Sequence, residues 1–144
     1  MKSGILPFIL FTIVGCAAQE SLKKEGALVT IGIVNHTENY VNYASINGVG
    51  GGNMLRQGAG TADVCCVNIP KLWYPGMKAL VRWDMPDGTE HVFKEKTIEI
   101  EKYDRPGSVY IHFFPNDEVR IVVTGIAGFS QRHPIAPPVK PMSL

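Results

Sequence analysis

The chain has 144 residues, of which 45% are hydrophobic, and a formal net charge of +1 at neutral pH. This length is sufficient for one domain with a hydrophobic core, even after removal of an N-terminal signal. A nearly neutral chain without a run of basic residues argues against a nucleic-acid partner, and it gives no reason to expect strong attraction to anionic lipid headgroups.

Residues 1–15 have the pattern of a lipoprotein signal peptide. One lysine precedes an apolar run over residues 5–14, which is too short to span a membrane. Small residues bracket Cys16, and the arrangement resembles the lipobox of bacterial lipoproteins, in which the cysteine thiol is lipidated and the chain is cut before it. The alternative is an ordinary secretory signal that is cut further on, near Ala17 or Ala18.

The lipobox resemblance implies that Cys16 carries the lipid anchor and that residues 16–26 form a lipidated tether. Several acyl chains anchor a protein more firmly than one. Ala17 stands where lipoproteins retained in the inner membrane usually have Asp. We therefore expect attachment to the outer membrane of a Gram-negative bacterium, with the domain facing the periplasm.

Residues 27–126 have the alternating pattern of β-strands. Pro86-Asp87-Gly88 is typical of a tight turn, and similar polar or proline-containing breaks separate the other apolar runs. The pattern predicts strands over residues 27–35, 40–47, 63–69, 77–84, 89–101, 108–114 and 119–125. We expect an all-β fold, a single small β-sandwich or open barrel of about six to seven mostly antiparallel strands. Residues 127–144 contain four prolines and are predicted to form a Pro-rich C-terminal tail.

The glycine-rich stretch over residues 48–61 does not match a nucleotide-binding motif. A P-loop ends in Gly-Lys-Ser/Thr and opens a helix, and neither feature is present in this sequence. The stretch predicts a flexible surface loop. Its functional alternative is a loop that contacts a partner, because glycines allow close approach of the backbone.

Cys65 and Cys66 are adjacent, and their state is open from the sequence. In the oxidising periplasm the pair can form a disulfide. Alternatively the two side chains point to opposite faces of a strand, as small hydrophobic residues. A metal site needs further ligands, which neither a second cysteine pair nor a nearby histidine supplies, so we expect no metal.

No set of residues in the sequence forms a catalytic motif. His36, His91, His112 and His133 are scattered without ligand spacing. Ser130 lacks the second glycine of a nucleophile elbow. Lysines surround the carboxylates of Glu99 and Glu101, which favours a solvated charged face. We therefore predict a protein that is not an enzyme, with no catalytic residues and no cofactor.

One segment resembles a known family. The residues C-C-V-N-I-P-K-L-W-Y-P-G-M at 65–77, the V-R-W at 81–83, and the upstream S-I-N-G and G-G-G-N at 45–48 and 50–53 resemble a family of small bacterial lipoproteins known as a domain of unknown function. The resemblance is specific over roughly residues 40–83. Members of this kind often occur beside phospholipase effectors of type VI secretion systems, where they look like immunity proteins.

This resemblance implies a periplasmic immunity lipoprotein that binds and neutralises a cognate phospholipase effector, so that the producing cell is protected. The candidate partner-binding residues are Asn53, Met54, Leu55, Arg56, Trp73 and Tyr74. Trp73 has a structural alternative, which is to fill the core beside the cysteine pair. The alternative function is an envelope lipoprotein that acts as an assembly scaffold or a ligand-binding module.

Overall fold

The computed structural model describes residues 25–140. Eight strands account for its regular structure, together with a short 3₁₀ turn at Pro115–Asp117. The strands are β1 (Gly26–Asn35), β2 (Val41–Ile46), β3 (Val49–Met54), β4 (Val64–Pro70), β5 (Lys78–Asp84), β6 (Phe93–Glu99), β7 (Ser108–Phe114) and β8 (Glu118–Thr124).

The strands form two four-stranded sheets, with the orders β4-β1-β7-β8 and β3-β2-β5-β6. All strand pairs are antiparallel except β1 and β7, which run parallel. The all-β prediction and its small-sandwich form are therefore confirmed. The structure has eight strands rather than six to seven, and the additional strand β3 lies in a stretch that was expected to be a loop.

The core lies between the two sheets and uses the alternating positions that the sequence indicated. Val81 and Trp83 on β5 face Ile111 and Phe113 on β7, and all four side chains are at most 1% exposed. The rings of Trp83 and Phe113 lie 5.5 Å apart. Each large buried side chain of this kind contributes about 1.5–3 kcal/mol through burial of apolar surface.

The prediction of a flexible loop for the glycine-rich stretch is wrong, because the first half of the stretch is the edge strand β3. Gly50 has φ +148°, and a Cβ there would lie 2.5 Å from the carbonyl oxygen of Ala44 on β2. At Gly52 a Cβ would lie 3.2 Å from Ile33 and from Val64, which belong to the opposite sheet. The glycines therefore serve close packing at the edge where the two sheets meet.

The outer face of the β4-β1-β7-β8 sheet carries a second apolar cluster. Val34, Tyr110 and Val122 are buried there beneath Ile135, and Ala59 and Ala62 pack against them. Residues 126–140, which we call the C-terminal segment, have no strand but include the buried side chains of His133 and Ile135. The proline-rich end of the chain thus packs on this sheet as far as it is described.

The predicted signal peptide, Cys16 and the predicted tether up to residue 24 lie outside the described residues. Within residues 25–140, no helix has the length and apolar character required to cross a membrane.

Candidate functional site

Among residues 25–140, no other element covers the aromatic part of the outer face of the β3-β2-β5-β6 sheet, unlike the outer face of the other sheet. Outward-facing positions alternate with the core positions along β5, so Leu80 and Arg82 are exposed. Across the sheet, Tyr43 on β2 and Phe93 on β6 both pair with Asp84. We call Tyr43, Leu80, Arg82, His91 and Phe93 the aromatic face.

Phe93 is the centre of the aromatic face and is 49% exposed. The guanidinium carbon of Arg82 lies 4.5 Å from the centre of its ring, which is a cation–π contact. Tyr43 meets the ring edge to face at 6.4 Å, and His91 stacks at 5.9 Å. Within residues 25–140, no carboxylate lies within 4.0 Å of the Arg82 guanidinium. Exposed aromatic and arginine side chains are the types enriched at the centre of protein interfaces.

Asp84 lies fully buried beneath this face and fixes the orientation of His91. Its Oδ2 accepts hydrogen bonds from His91 Nδ1 at 2.6 Å and Asn42 Nδ2 at 3.0 Å, and its Oδ1 accepts one from the Val92 amide at 2.9 Å. Burial raises the pKa of Asp84, but the hydrogen bonds from His91, Asn42 and Val92 outweigh it and hold the pKa below its ordinary value. The buried group is therefore a carboxylate at neutral pH.

The Asp84–His91 pair has the orientation of the acid–base half of a hydrolytic triad, with Asp84 buried and the His91 side chain 62% exposed. In the described part of the chain, His91 has no hydrogen bond to a serine, threonine or cysteine side chain. The arrangement accordingly presents an oriented, solvent-facing imidazole without an adjacent nucleophile.

Cys65 and Cys66 form a disulfide between neighbouring residues in β4. The pairing of β4 with β1 is irregular at this point, since Val67 lies opposite Val29 whereas Val64 lies opposite Ile31. Two cysteines therefore oppose the single residue Thr30, which is the arrangement of a β-bulge. The disulfide lies on an edge strand and is partly exposed.

Asn53, Met54, Leu55 and Arg56 lie at the end of β3 and in the turn after it. Leu55 is 67% exposed, and Asn53 and Arg56 are exposed as well. The Leu55 carbonyl accepts a hydrogen bond from Asn35 Nδ2 at 3.1 Å, which fixes the turn to the end of β1. Met54 is half-buried against the core.

Trp73 and Tyr74 are half-buried and pack against the core. Trp73 Nε1 donates a hydrogen bond to the Ile100 carbonyl at 2.8 Å. They follow Pro70, which pairs with the first residue of β1, whereas Leu55 contacts the last. At about 3.3 Å per residue, the ten-residue strand β1 separates these two groups by roughly 30 Å. The structure does not bring the two predicted groups together.

Three of the four histidines come together, which the sequence spacing did not indicate. His36, His112 and His133 are linked by hydrogen bonds on the outer face of the β4-β1-β7-β8 sheet. Within the described residues, no group of three or more histidine, cysteine or acidic side chains is arranged to hold a metal ion. The remaining histidine, His91, is the one at the aromatic face.

The geometry defines a small two-sheet β-sandwich domain with one covered outer face and one uncovered aromatic face. The chain belongs to the family described as "Protein of unknown function (DUF3304)", whose sequence profile matches residues 34–121. The match includes all strands from β2 to β7 and the aromatic face. No curated protein and no solved structure shows significant similarity to the chain.

Proposed function

We propose that this protein is a periplasmic immunity lipoprotein that binds and neutralises a phospholipase effector of a type VI secretion system. The observation that carries the proposal is the aromatic face, an uncovered sheet surface with Phe93 and Arg82 at its centre. The lipobox-like signal and the resemblance of residues 40–83 to lipoproteins that occur beside such effectors support it.

The contrast between the two outer faces supports a binding role for the aromatic face. On the other sheet, the apolar outer face is buried, because Ile135 of the C-terminal segment and the residues after β3 pack on it. The buried side chains there are Val34, Tyr110 and Val122. Leu80 and Phe93 stay 41% and 49% exposed beside Arg82, which has no carboxylate partner in the part of the chain that the structure describes. A partner that covers this face gains apolar burial and a desolvated arginine contact.

The proposed inhibition is steric. A lipase must bring its active-site mouth to a membrane, and an immunity protein that occupies that mouth or the surrounding docking surface prevents this contact. The protein itself supplies a rigid platform, because the aromatic side chains project from paired strands and Asp84 holds His91 in place. Rigid side chains lose little conformational entropy on binding.

The test is co-purification with a phospholipase-like effector encoded beside this protein, followed by a lipase assay with increasing inhibitor. The wild-type chain is expected to form a one-to-one complex and abolish activity. Phe93→Ala and Arg82→Ala are each expected to weaken inhibition at least 30-fold, since a central interface residue contributes about 2 kcal/mol or more.

Leu28→Ala is the matched control, because Leu28 is 75% exposed but belongs to the opposite sheet. It should leave inhibition unchanged. Leu55→Ala asks whether the turn after β3 also contacts the effector. Binding without loss of lipase activity would instead favour the assembly scaffold, and absence of any binding would rule out immunity against that effector.

A further inference from the structure

The histidine chain, which we define as His36, His112 and His133, joins three distant parts of the sequence. His36 Nε2 lies 2.9 Å from His112 Nδ1, and His112 Nε2 lies 3.0 Å from His133 Nε2. At the far end, His133 Nδ1 lies 2.9 Å from the Ile126 carbonyl. His112 is fully buried, His133 is 5% exposed and His36 is half-buried.

The Ile126 carbonyl fixes the direction of the hydrogen bonds in the histidine chain. A carbonyl oxygen only accepts, so His133 Nδ1 must donate, and a neutral His133 then accepts at Nε2. His112 consequently donates from Nε2 and accepts at Nδ1, where His36 Nε2 donates to it. In this neutral form of the histidine chain, each ring holds one proton and every ring nitrogen is used except His36 Nδ1.

The histidine chain helps to attach the C-terminal segment to the sheet, because His133 belongs to that segment while His112 belongs to β7. Backbone, apolar and aromatic contacts also attach the segment. The Gly128 amide donates to the Gly60 carbonyl at 2.9 Å, and Ile135 is buried in the outer apolar cluster. Tyr110 meets the His133 ring edge to face at 4.8 Å.

The number of hydrogen-bonding positions limits how many extra protons the histidine chain can hold while its bonds stay intact. One extra proton can enter at His36 Nδ1, and shifts along the two N–H···N bonds can move its charge to His112 or His133 without breaking either bond. A second extra proton places two N–H donors opposite each other in one gap. That state requires at least one bond of the chain to break.

The surroundings oppose a positive charge within the closed chain. Burial lowers the pKa of His112 to about 3, with contributions from His133, His36 and Arg120. Burial also lowers the pKa of His36, again with His133 and Arg120 contributing. Arg120 is paired with Glu101 through two hydrogen bonds of 2.9 and 2.6 Å. Tyr110 contacts the His133 ring, Asp63 acts on Tyr110, Glu118 acts on Arg120, and Arg132 precedes His133 in the sequence.

We propose that the histidine chain is a pH-sensitive switch that holds the C-terminal segment on the sheet at neutral pH and releases it in acid. Release removes His133 from His112 and uncovers that ring, and in acid the His36–His112 bond then opens as well. Each of the three imidazoles then takes a proton, whereas the closed histidine chain holds at most one extra proton. Opening therefore takes up at least two protons. It also uncovers the apolar cluster of Val34, Tyr110 and Val122, which creates a second uncovered face distinct from the aromatic face.

The test is hydrogen–deuterium exchange of the full-length chain in mild detergent between pH 7 and pH 4.5, corrected for the intrinsic exchange rate. The opening constant of residues 126–136 is expected to rise about a hundredfold per pH unit below about pH 6, because two protons are taken up. The amides of β5 serve as an internal reference and should keep their protection. A rise in the opening constant that corresponds to fewer than two protons would contradict the proposed switch. Equal loss of protection in β5 would show that the release is not local.

Two variants separate the switch from general acid sensitivity. His133→Gln retains a hydrogen-bonding side chain but cannot take up the proton, so the slope should become about tenfold shallower per pH unit. If that variant does not fold, His36→Gln at the half-buried end serves the same purpose. His91→Gln is the matched control and should leave the slope unchanged. The same slope in all variants would refute the proposal.

A second measurement tests the closed state directly. Nitrogen-15 spectra of the histidine side chains at pH 7.5 should show neutral rings protonated at Nε2 in His36 and His112 and at Nδ1 in His133. Any other tautomer pattern, or a charged ring at that pH, would contradict the hydrogen-bond direction on which the proton count rests.

Discussion

At the residue scale, loss of the buried Asp84 carboxylate should destabilise the fold. It accepts three hydrogen bonds and has no exposed surface, so Asp84→Ala leaves the donors of Asn42, His91 and Val92 without their acceptor. We expect the free energy of unfolding to fall by about 2–3 kcal/mol in chemical denaturation. Glu95→Ala on the exposed neighbouring strand is the control and should change it by less than about 0.5 kcal/mol.

The same carboxylate gives a pH dependence with a defined sign. The folded pKa of Asp84 lies below its ordinary value of 3.8, so the unfolded state binds the proton first as the pH falls. The stabilisation is fully present well above pH 3.8 and is lost as the pH falls through the folded pKa. The difference in unfolding free energy between wild type and Asp84→Ala should therefore shrink below pH 4. A constant difference down to pH 2 would contradict this assignment.

At the scale of elements, β3 depends on glycine where the backbone approaches its neighbour. Gly50→Ala places a Cβ against the Ala44 carbonyl and forces a side chain into a positive-φ conformation. We expect a loss of about 1–3 kcal/mol in unfolding free energy and faster amide exchange in β2 and β3. Gly125→Ala is the control, because a Cβ there has open space and the backbone is not in that region. Equal stability of the two variants would show that β3 is not held by this contact.

The strands that could be predicted from the sequence are those whose own residues show a repeating pattern of buried positions. β5 alternates buried and exposed residues because one of its faces lies in the core, and β7 has an apolar residue at every second position on its core face. Val81, Trp83, Ile111 and Phe113 were therefore predictable. The glycines of β3 are explained by residues of the opposite sheet, because Ile33 and Val64 fill the space that a side chain at Gly52 would need. A glycine run has no periodicity, and it was therefore interpreted as a loop.

The histidine chain and the aromatic face escaped prediction for a related reason. His36 and His112 are separated by 76 positions, and only the parallel pairing of β1 with β7 brings them into contact. Phe93 and Tyr43 meet through the shared neighbour Asp84 on β5, which requires the register of three strands. Residue types and spacing indicated neither register, so the candidate partner-binding residues were assigned to positions that lie at opposite ends of β1.

At the scale of the whole molecule, the attachment of β1 to the proposed anchor restricts where the domain can act. Ten positions separate Cys16 from Gly26, so the start of β1 lies within about 35 Å of a lipid attached to Cys16. Under the proposed function, a folded domain held at this distance would meet an incoming lipase at the membrane surface. The proposed immunity role therefore requires the anchor for protection of the cell, although not for binding of the effector in solution.

Because the anchor is proposed to act in protection of the cell and not in binding of the effector, loss of Cys16 should affect the two differently. Full-length Cys16→Ser should move from the detergent phase to the aqueous phase in a phase-partition assay, because it lacks the attachment point for acyl chains. The purified variant should inhibit the effector as well as wild type does, yet protect cells less. Cys65→Ser with Cys66→Ser is the matched control and should stay in the detergent phase. Retention of Cys16→Ser in that phase would show that something other than a lipid on this cysteine holds the protein at the membrane.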